Sequence, residues 1–161
     1  MPEDVQVIRT QELPILDIGD FLSGNDKGLE YLAGQLRAAA EEFGFFFIKN
    51  HGISEALIKN VFAENERFHN QSMEVKSAIA IDDNQRGYIR PKATLLKHST
   101  YNKNTTFDSN ETTVFATEYG SDNPHRQAGK RFYGENQWPI DLPGFKEIVQ
   151  EYMNSMTELG K

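Results

Sequence analysis

The residues that could carry chemistry are few and can be taken in turn. The stretch QRGYIRP, residues 85–91, places Arg86 two residues before Tyr88, between a turn cluster and a proline. Residues two apart share a face of a strand, and a guanidinium beside a phenol can hold a carboxylate bidentately and wall an apolar pocket. Arg86 and Tyr88 are therefore the candidate substrate-binding residues, Arg86 as anion clamp and Tyr88 as wall or hydrogen-bond donor. The plainer reading of the same spacing is an edge strand with a solvated arginine and a core tyrosine.

Metal chemistry has less to work with. There are no cysteines, which removes disulfides, thiolate zinc sites and a cysteine nucleophile. A transition metal would need His, Asp and Glu. The four histidines, His51, His69, His98 and His125, show no i, i+4 pair, and none is followed two residues later by an acid. Histidines so scattered read as surface or cap residues. No metal ligand and no catalytic residue is assigned within the chain, although a self-contained metal site built from two distant histidines and a carboxylate is a third reading. Phosphate-binding glycine loops and a G-x-S-x-G elbow are absent. The acid pairs Glu41-Glu42 and Asp82-Asp83 are adjacent rather than opposed, so they read as solvated.

Composition narrows the classes further. The chain has 161 residues, 17 basic and 24 acidic, with a net charge of -7. That length suits one domain. The charge repels phosphate backbones, and the densest basic run is only Lys130-Arg131, so nucleic acid is excluded as a partner. No apolar run approaches the roughly 20 residues of a membrane span, and the N-terminus lacks the apolar core of a signal peptide. The expected setting is cytoplasmic, with no membrane partner.

The elements that must position these residues follow from periodicity. Residues 13–18, LPILDI, read as a strand with Pro14 at its start, and 20–26 as a loop. Leu29, Leu32, Ala33, Leu36, Ala40 and Phe43 fall on one face of a helix, ended by Gly44 as a left-handed C′ residue. Phe45–Ile48 shows no alternation and reads as a strand buried on both sides. His51 falls in the following turn. Ser54 caps the next helix, with Leu57, Ile58, Val61, Phe62 and Phe68 as its stripe, and Ser72 caps a short one through about Ile79. The order so far is β-α-β-α-α. Residues 82–84 form a turn, 86–91 a short strand, 97–110 an irregular loop, 111–119 a second strand, and 120–134 a loop again. A long helix follows, with Pro143 in its first turn and Phe145, Ile148, Val149, Tyr152, Met153, Met156 and Leu159 on its apolar face. So wide a face near the end of the sequence leads us to expect that the polypeptide continues. The fold class is α+β.

Four stretches in order resemble the N-terminal region of the non-haem iron(II), 2-oxoglutarate-dependent dioxygenases of the isopenicillin N synthase-like family. LPILDI opens as those chains do. FGFFFIKNHGIS resembles their "NHGI" segment, SMEVKSAIAIDDNQRGYIRP their short helix and "NQRGY", and YGENQWPIDLPGF their "NQWP…LPGF" lead into a long helix. The likeness spans about residues 12–161. TTVFATEYG departs from the family's phenylalanine-rich continuation on the substrate side of the pocket.

The resemblance implies an intact enzyme that uses Fe(II) and couples decarboxylation of 2-oxoglutarate to attack on a C–H bond of a small organic substrate. It implies that 1–161 is a single domain bracing a double-stranded β-helix, a jelly roll that carries the His-x-Asp, distal His and Arg-x-Ser and is missing here. The chain's partners would be that jelly roll and the substrate, and it would bind no cofactor alone. Residues of the NQRGY loop can approach substrate in such enzymes, which supports Arg86 and Tyr88. The histidine of NHGI is not an iron ligand there, so His51 is expected to shape a turn. An alternative is a stand-alone, non-catalytic binding or dimerisation module derived from such an enzyme, using the apolar face of the last helix.

Overall fold

The computed structural model describes residues 13–25, 28–95 and 105–161. The chain forms two units, divided between Ile53 and Ser54. Of the loop expected over 97–110, residues 96–104 lie outside the described residues, His98 among them; 105–110 form no regular element.

The first unit contains β1 (Ile15–Asp17), α1 (Gly19–Leu22), α2 (Leu29–Glu42) and β2 (Phe47–Lys49). β1 and β2 pair in parallel, Ile15 opposite Phe47 and Asp17 opposite Lys49, because the intervening helix carries the chain back to the same end. α2 covers one face, where Leu16 and Ala39 are buried. The opposite face is open. Ile15 is 59% and Phe47 56% exposed, and Phe45 and Phe46 are exposed too. The strand expected to be buried on both sides is therefore buried on neither fully: a two-stranded sheet under a single helix can cover only one face. The expected loop at 20–26 starts with a helical turn instead. Asp17 Oδ1 accepts the Gly19 N–H at 3.1 Å, and Ser23 Oγ donates to the Gly19 carbonyl at 2.7 Å.

Gly44 ends α2 as expected, at φ +79°, with its N–H on the Ala39 carbonyl at 3.1 Å. After β2 the chain turns through Asn50 at φ +56° and Gly52 at φ +75°. Asn50 Nδ2 donates to both Asp17 carboxylate oxygens, at 2.9 and 2.8 Å. That amide, with the Gly19 N–H, holds the Asp17 carboxyl below its ordinary range. His51 Nδ1 accepts the Ile53 N–H at 3.1 Å. The histidine thus shapes the turn after the strand. Replacing His51 by Gln is expected to lower stability by about 0.5–1.5 kcal/mol, one hydrogen bond's net worth. Thermal denaturation checks this, and an unchanged midpoint would contradict the turn role.

The second unit contains α3 (Glu55–His69), α4 (Met73–Ser77), β3 (Gly87–Ile89), β4 (Thr112–Val114), α5 (Pro124–Gln127) and α6 (Phe145–Leu159). Ser54 Oγ accepts the Ala56 N–H at 3.2 Å and Ser72 Oγ the Val75 N–H at 3.3 Å, so both serine caps form. β3 and β4 are antiparallel, Tyr88 opposite Thr113. α3 packs along α6, and Phe68, Ile79, Tyr88, Leu142, Phe145 and Val149 form the core between helices and strands. The apolar face of α6 is thus buried at Phe145 and Val149 and left exposed at Met156.

Three expectations shift. Pro143 stands one residue ahead of the N-cap rather than in the first turn. Gly144 caps α6 at φ +86°, and Arg67 Nη2 takes the Pro143 carbonyl at 2.8 Å. The loop at 120–134 contains α5, because Asn123 Oδ1 accepts the His125 and Arg126 N–H groups and Pro124 supplies a helical φ at N1. The strand expected over 111–119 stops at Val114. Beyond it the Asn136 side chain plays the partner strand, accepting from Ala116 N at 2.9 Å and donating to its carbonyl at 2.7 Å.

Candidate functional site

Tyr88 is 2% exposed, and its ring meets Phe68 edge-on at 5.9 Å. Its hydroxyl donates to Glu111 Oε2 in a short hydrogen bond. β3–β4 pairing makes this contact: Glu111 directly precedes Thr112, and Thr112 lies opposite Ile89. Lys76, from α4, donates to the same oxygen at 2.8 Å and to the His69 carbonyl at 2.9 Å. His69 Nδ1 stands 3.2 Å from Glu111 Oε1.

One carboxylate therefore collects a lysine, a phenol and an imidazole. Lys76, then Tyr88, draw the Glu111 carboxyl down to about 2 against the effect of burial. The Lys76 ammonium is pushed up, chiefly by Glu111. Burial, then Glu111, pushes the Tyr88 phenol up. At neutral pH the cluster is a fixed ion pair with a neutral phenol. It is built to hold α4, β3 and β4 together, not to exchange protons.

Arg86 leads elsewhere. It is 5% exposed, and its Nη2 donates to the Phe132 carbonyl at 2.7 Å. Its Nε is buried with no partner among the described residues. Its backbone is pinned from two sides. Asp82 Oδ1 accepts its N–H at 3.1 Å. Gln137 Nε2 donates to its carbonyl at 2.7 Å and to the Ala80 carbonyl at 2.6 Å. Gly87 makes this approach possible: it sits at φ +117°, and a Cβ there would lie 2.4 Å from the Ile79 carbonyl oxygen and 2.7 Å from Gln137 Nε2. The NQRGY and NQWP stretches meet here, through Gln137.

The two candidate residues are thus neighbours in sequence whose side chains meet different partners. β3 begins at Gly87, so the period-two argument for a shared face does not extend to Arg86. Neither side chain is solvated.

Of the other histidines, His125 lies against Tyr133 at 4.9 Å. Among the described residues no group of three or more His, Cys, Asp or Glu could hold a metal ion, and no helix is long and apolar enough to cross a membrane. Sequence reasoning missed Lys76, His69 and Glu118. Glu118 Oε1 accepts the Asn136 N–H at 2.9 Å and Trp138 Nε1 at 3.1 Å, and Oε2 accepts Gln150 Nε2 at 3.1 Å. It borders a cavity of about 290 Å³ with Gln150, Met153, Asn154 and Thr157. A second cleft, of about 460 Å³, opens in the first unit beside Asp17, Asp20, Tyr31 and Gln35. A lysine on a short helix carries no signal of burial; its partner lies 35 residues away.

Comparison with known proteins gives this architecture a place. Residues 13–141 match the family model for the non-haem dioxygenase in morphine synthesis N-terminal domain. The chain is 28% identical over 160 residues to a kihadalactone A synthase of Citrus sinensis, covering 98% of this chain and 46% of that protein. It is 31% identical over 158 residues to a homoarginine-6-hydroxylase of Glycine max, covering 92% and 45%. Among solved structures, a 2OG-Fe(II) oxygenase family protein of Caulobacter crescentus superposes with a TM-score of 0.73 at 20% identity, over 94% of this chain and 46% of that one. A full-length Neurospora crassa protein in complex with alpha-KG gives 0.69 at 22%, over 92% and 43%. The chain spans less than half the length of each of these. It belongs to the non-haem dioxygenase family, as an N-terminal domain of that family.

Proposed function

We propose that this chain is the N-terminal part of a non-haem iron(II), 2-oxoglutarate-dependent oxygenase acting on a small organic substrate, in a cytoplasmic setting. In this reading it braces a C-terminal jelly roll and closes one side of the substrate pocket. The observation that carries the proposal is the family match over residues 13–141, on a fold shared with oxygenases of more than twice the length. The described residues do not fit an iron site. Among the described residues the one histidine–carboxylate pair, His69 with Glu111, has its carboxylate committed to Lys76 and Tyr88. Iron and 2-oxoglutarate are assigned to the jelly roll, and no chemical step is assigned to this domain.

Tyr88 and Arg86 are the substrate-side residues in this reading. The burial of Tyr88 and the tether of its hydroxyl support a wall rather than a free donor. The spare Nε of Arg86 supports an anion clamp, and its bond to Phe132 opposes a freely open one. Two results test the proposal. The reading frame beyond Lys161 is expected to encode His-x-Asp and a later His. The full-length protein is expected to convert 2-oxoglutarate and O2 to succinate and CO2 when iron(II) and an oxidisable substrate are supplied, the second oxygen atom passing to that substrate. A continuation without those ligands sinks the reading.

The stand-alone module has one observation in its favour, the exposed Phe45, Phe46 and Phe47. Of the dimer surface first expected for it, the face of α6, Phe145 and Val149 are buried in the core, while Met156 is exposed. Sedimentation that finds a monomer would dispose of the dimer version.

A further inference from the structure

The segment 129–134 turns through two left-handed residues, Gly129 at φ +62° and Phe132 at φ +73°. Glycine adopts that conformation freely, but a phenylalanine does so at a cost of about 1–2 kcal/mol. Phe132 gains little burial in exchange: its side chain is 51% exposed, with the Arg131 guanidinium 5.0 Å from the ring centroid. What the strained turn achieves lies in the main chain, where the Phe132 carbonyl is aimed at Arg86 Nη2, 2.7 Å away. Arg131 Nε adds a bond to the Asp83 carbonyl at 3.2 Å. Gly134 approaches so closely that a Cβ would stand 2.5 Å from the Asn84 amide. The segment is a strap lying on the turn that carries Arg86.

Beneath the strap, Arg86 is under-compensated. It is a buried guanidinium with one neutral carbonyl as partner and an Nε–H with none among the described residues. Asp82 forms no ion pair with it: Oδ1 accepts the backbone N–H groups of Asn84 and Arg86, and Oδ2 lies 3.5 Å from Asn84 Nδ2. A carboxylate could accept from two guanidinium donors in parallel, which a carbonyl oxygen cannot do.

We infer that segment 129–134 is a latched strap and that Arg86 beneath it is a gated site for a small carboxylate, which enters as the Phe132 carbonyl leaves. The inference rests on the reading of Arg86 as a substrate-side residue. It adds that the clamp is closed in this state and that ligand and latch compete for one guanidinium. The left-handed Phe132 makes the closed state easier to leave than a relaxed turn would.

Amide hydrogen exchange of 129–134 in the full-length protein tests this. Arg86→Gln removes a charge-assisted bond and is expected to speed exchange there about ten- to a hundredfold. Phe132→Gly keeps the carbonyl and removes the strain; it is expected to slow exchange roughly three- to tenfold, the strain relief less glycine's added freedom. Sodium acetate, against chloride at equal ionic strength, is expected to speed exchange in the wild type and leave Arg86→Gln unchanged. Wild-type exchange in Arg86→Gln overturns the latch. Acetate acting on neither protein, or on both alike, overturns the carboxylate site. Should Arg86→Gln fail to fold, faster exchange in Phe132→Gly overturns the latch by itself. The readout needs no turnover. An inactive protein with an acetate-sensitive strap refutes only the oxygenase reading, and an active oxygenase with an indifferent strap refutes only this inference.

Discussion

Glu111→Ala is expected to destabilise the protein by about 3–5 kcal/mol, the usual cost of stripping one partner from a buried ion pair. The loss is large because of what remains. Lys76 is 6% exposed, and without Glu111 its ammonium keeps, among the described residues, the His69 carbonyl at 2.9 Å and the Tyr88 ring at 5.5 Å, neither of them charged. The Tyr88 hydroxyl keeps a weak contact to Met73 Sδ at 3.6 Å. Adding Lys76→Met should recover much of the loss, because an apolar side chain leaves no stranded charge. A double-mutant cycle by urea denaturation checks both statements. A double variant no more stable than Glu111→Ala would show that Lys76 is not the source of the penalty.

The same pair predicts a pH signature. The Glu111 carboxyl is drawn down from 4.5 to about 2 in the folded protein. A depressed carboxylate contributes stability that is fully present above the unfolded value and is lost as pH falls through the folded one. The window is therefore pH 4.5 down to about 2. At about 1.4 kcal/mol per pH unit the contribution is at most about 3–4 kcal/mol, an upper bound because 27% of the side chain faces solvent. Lys76 acts at the other end. Its raised value means a contribution present below 10.5 and lost as pH climbs past it. Denaturation midpoints across pH should show a steeper acid limb in the wild type than in Glu111→Ala; parallel limbs would count against the assignment.

Phe68→Ala is expected to cost about 3–5 kcal/mol, the range for emptying a buried aromatic site. Phe68 is 1% exposed. Its ring lies 5.7 Å from Phe145 and 5.9 Å from Tyr88, so it joins α3, α6 and β3 at one point. The neighbours belong to two other elements, each tied elsewhere, and cannot collapse into the space. Unlike Glu111→Ala, this change removes no charged side chain, and urea denaturation at neutral pH reads the loss. A loss below about 1 kcal/mol would mean that the site repacks.

Local features were legible in the sequence because they are decided within a few residues. Ser54 and Ser72 cap helices, Gly44 ends one, His51 shapes a turn, and the stripes of α3 and α6 follow the helical period. The ordered LPILDI, NHGI, NQRGY and NQWP stretches also carried the family. What the sequence could not carry was pairing across distance. Lys76 meets Glu111 over 35 residues and Arg86 meets Phe132 over 46, and no periodicity records which polar residues will be buried together. Burial likewise depends on what covers an element. Phe45–Phe47 looks like the interior of a sheet, yet stays exposed under a single helix, while Arg86, formally a surface residue, is enclosed by a strap. Residue types and local spacing settle the elements and their ends; which charges share a site, and which apolar faces find cover, is settled only when distant segments meet.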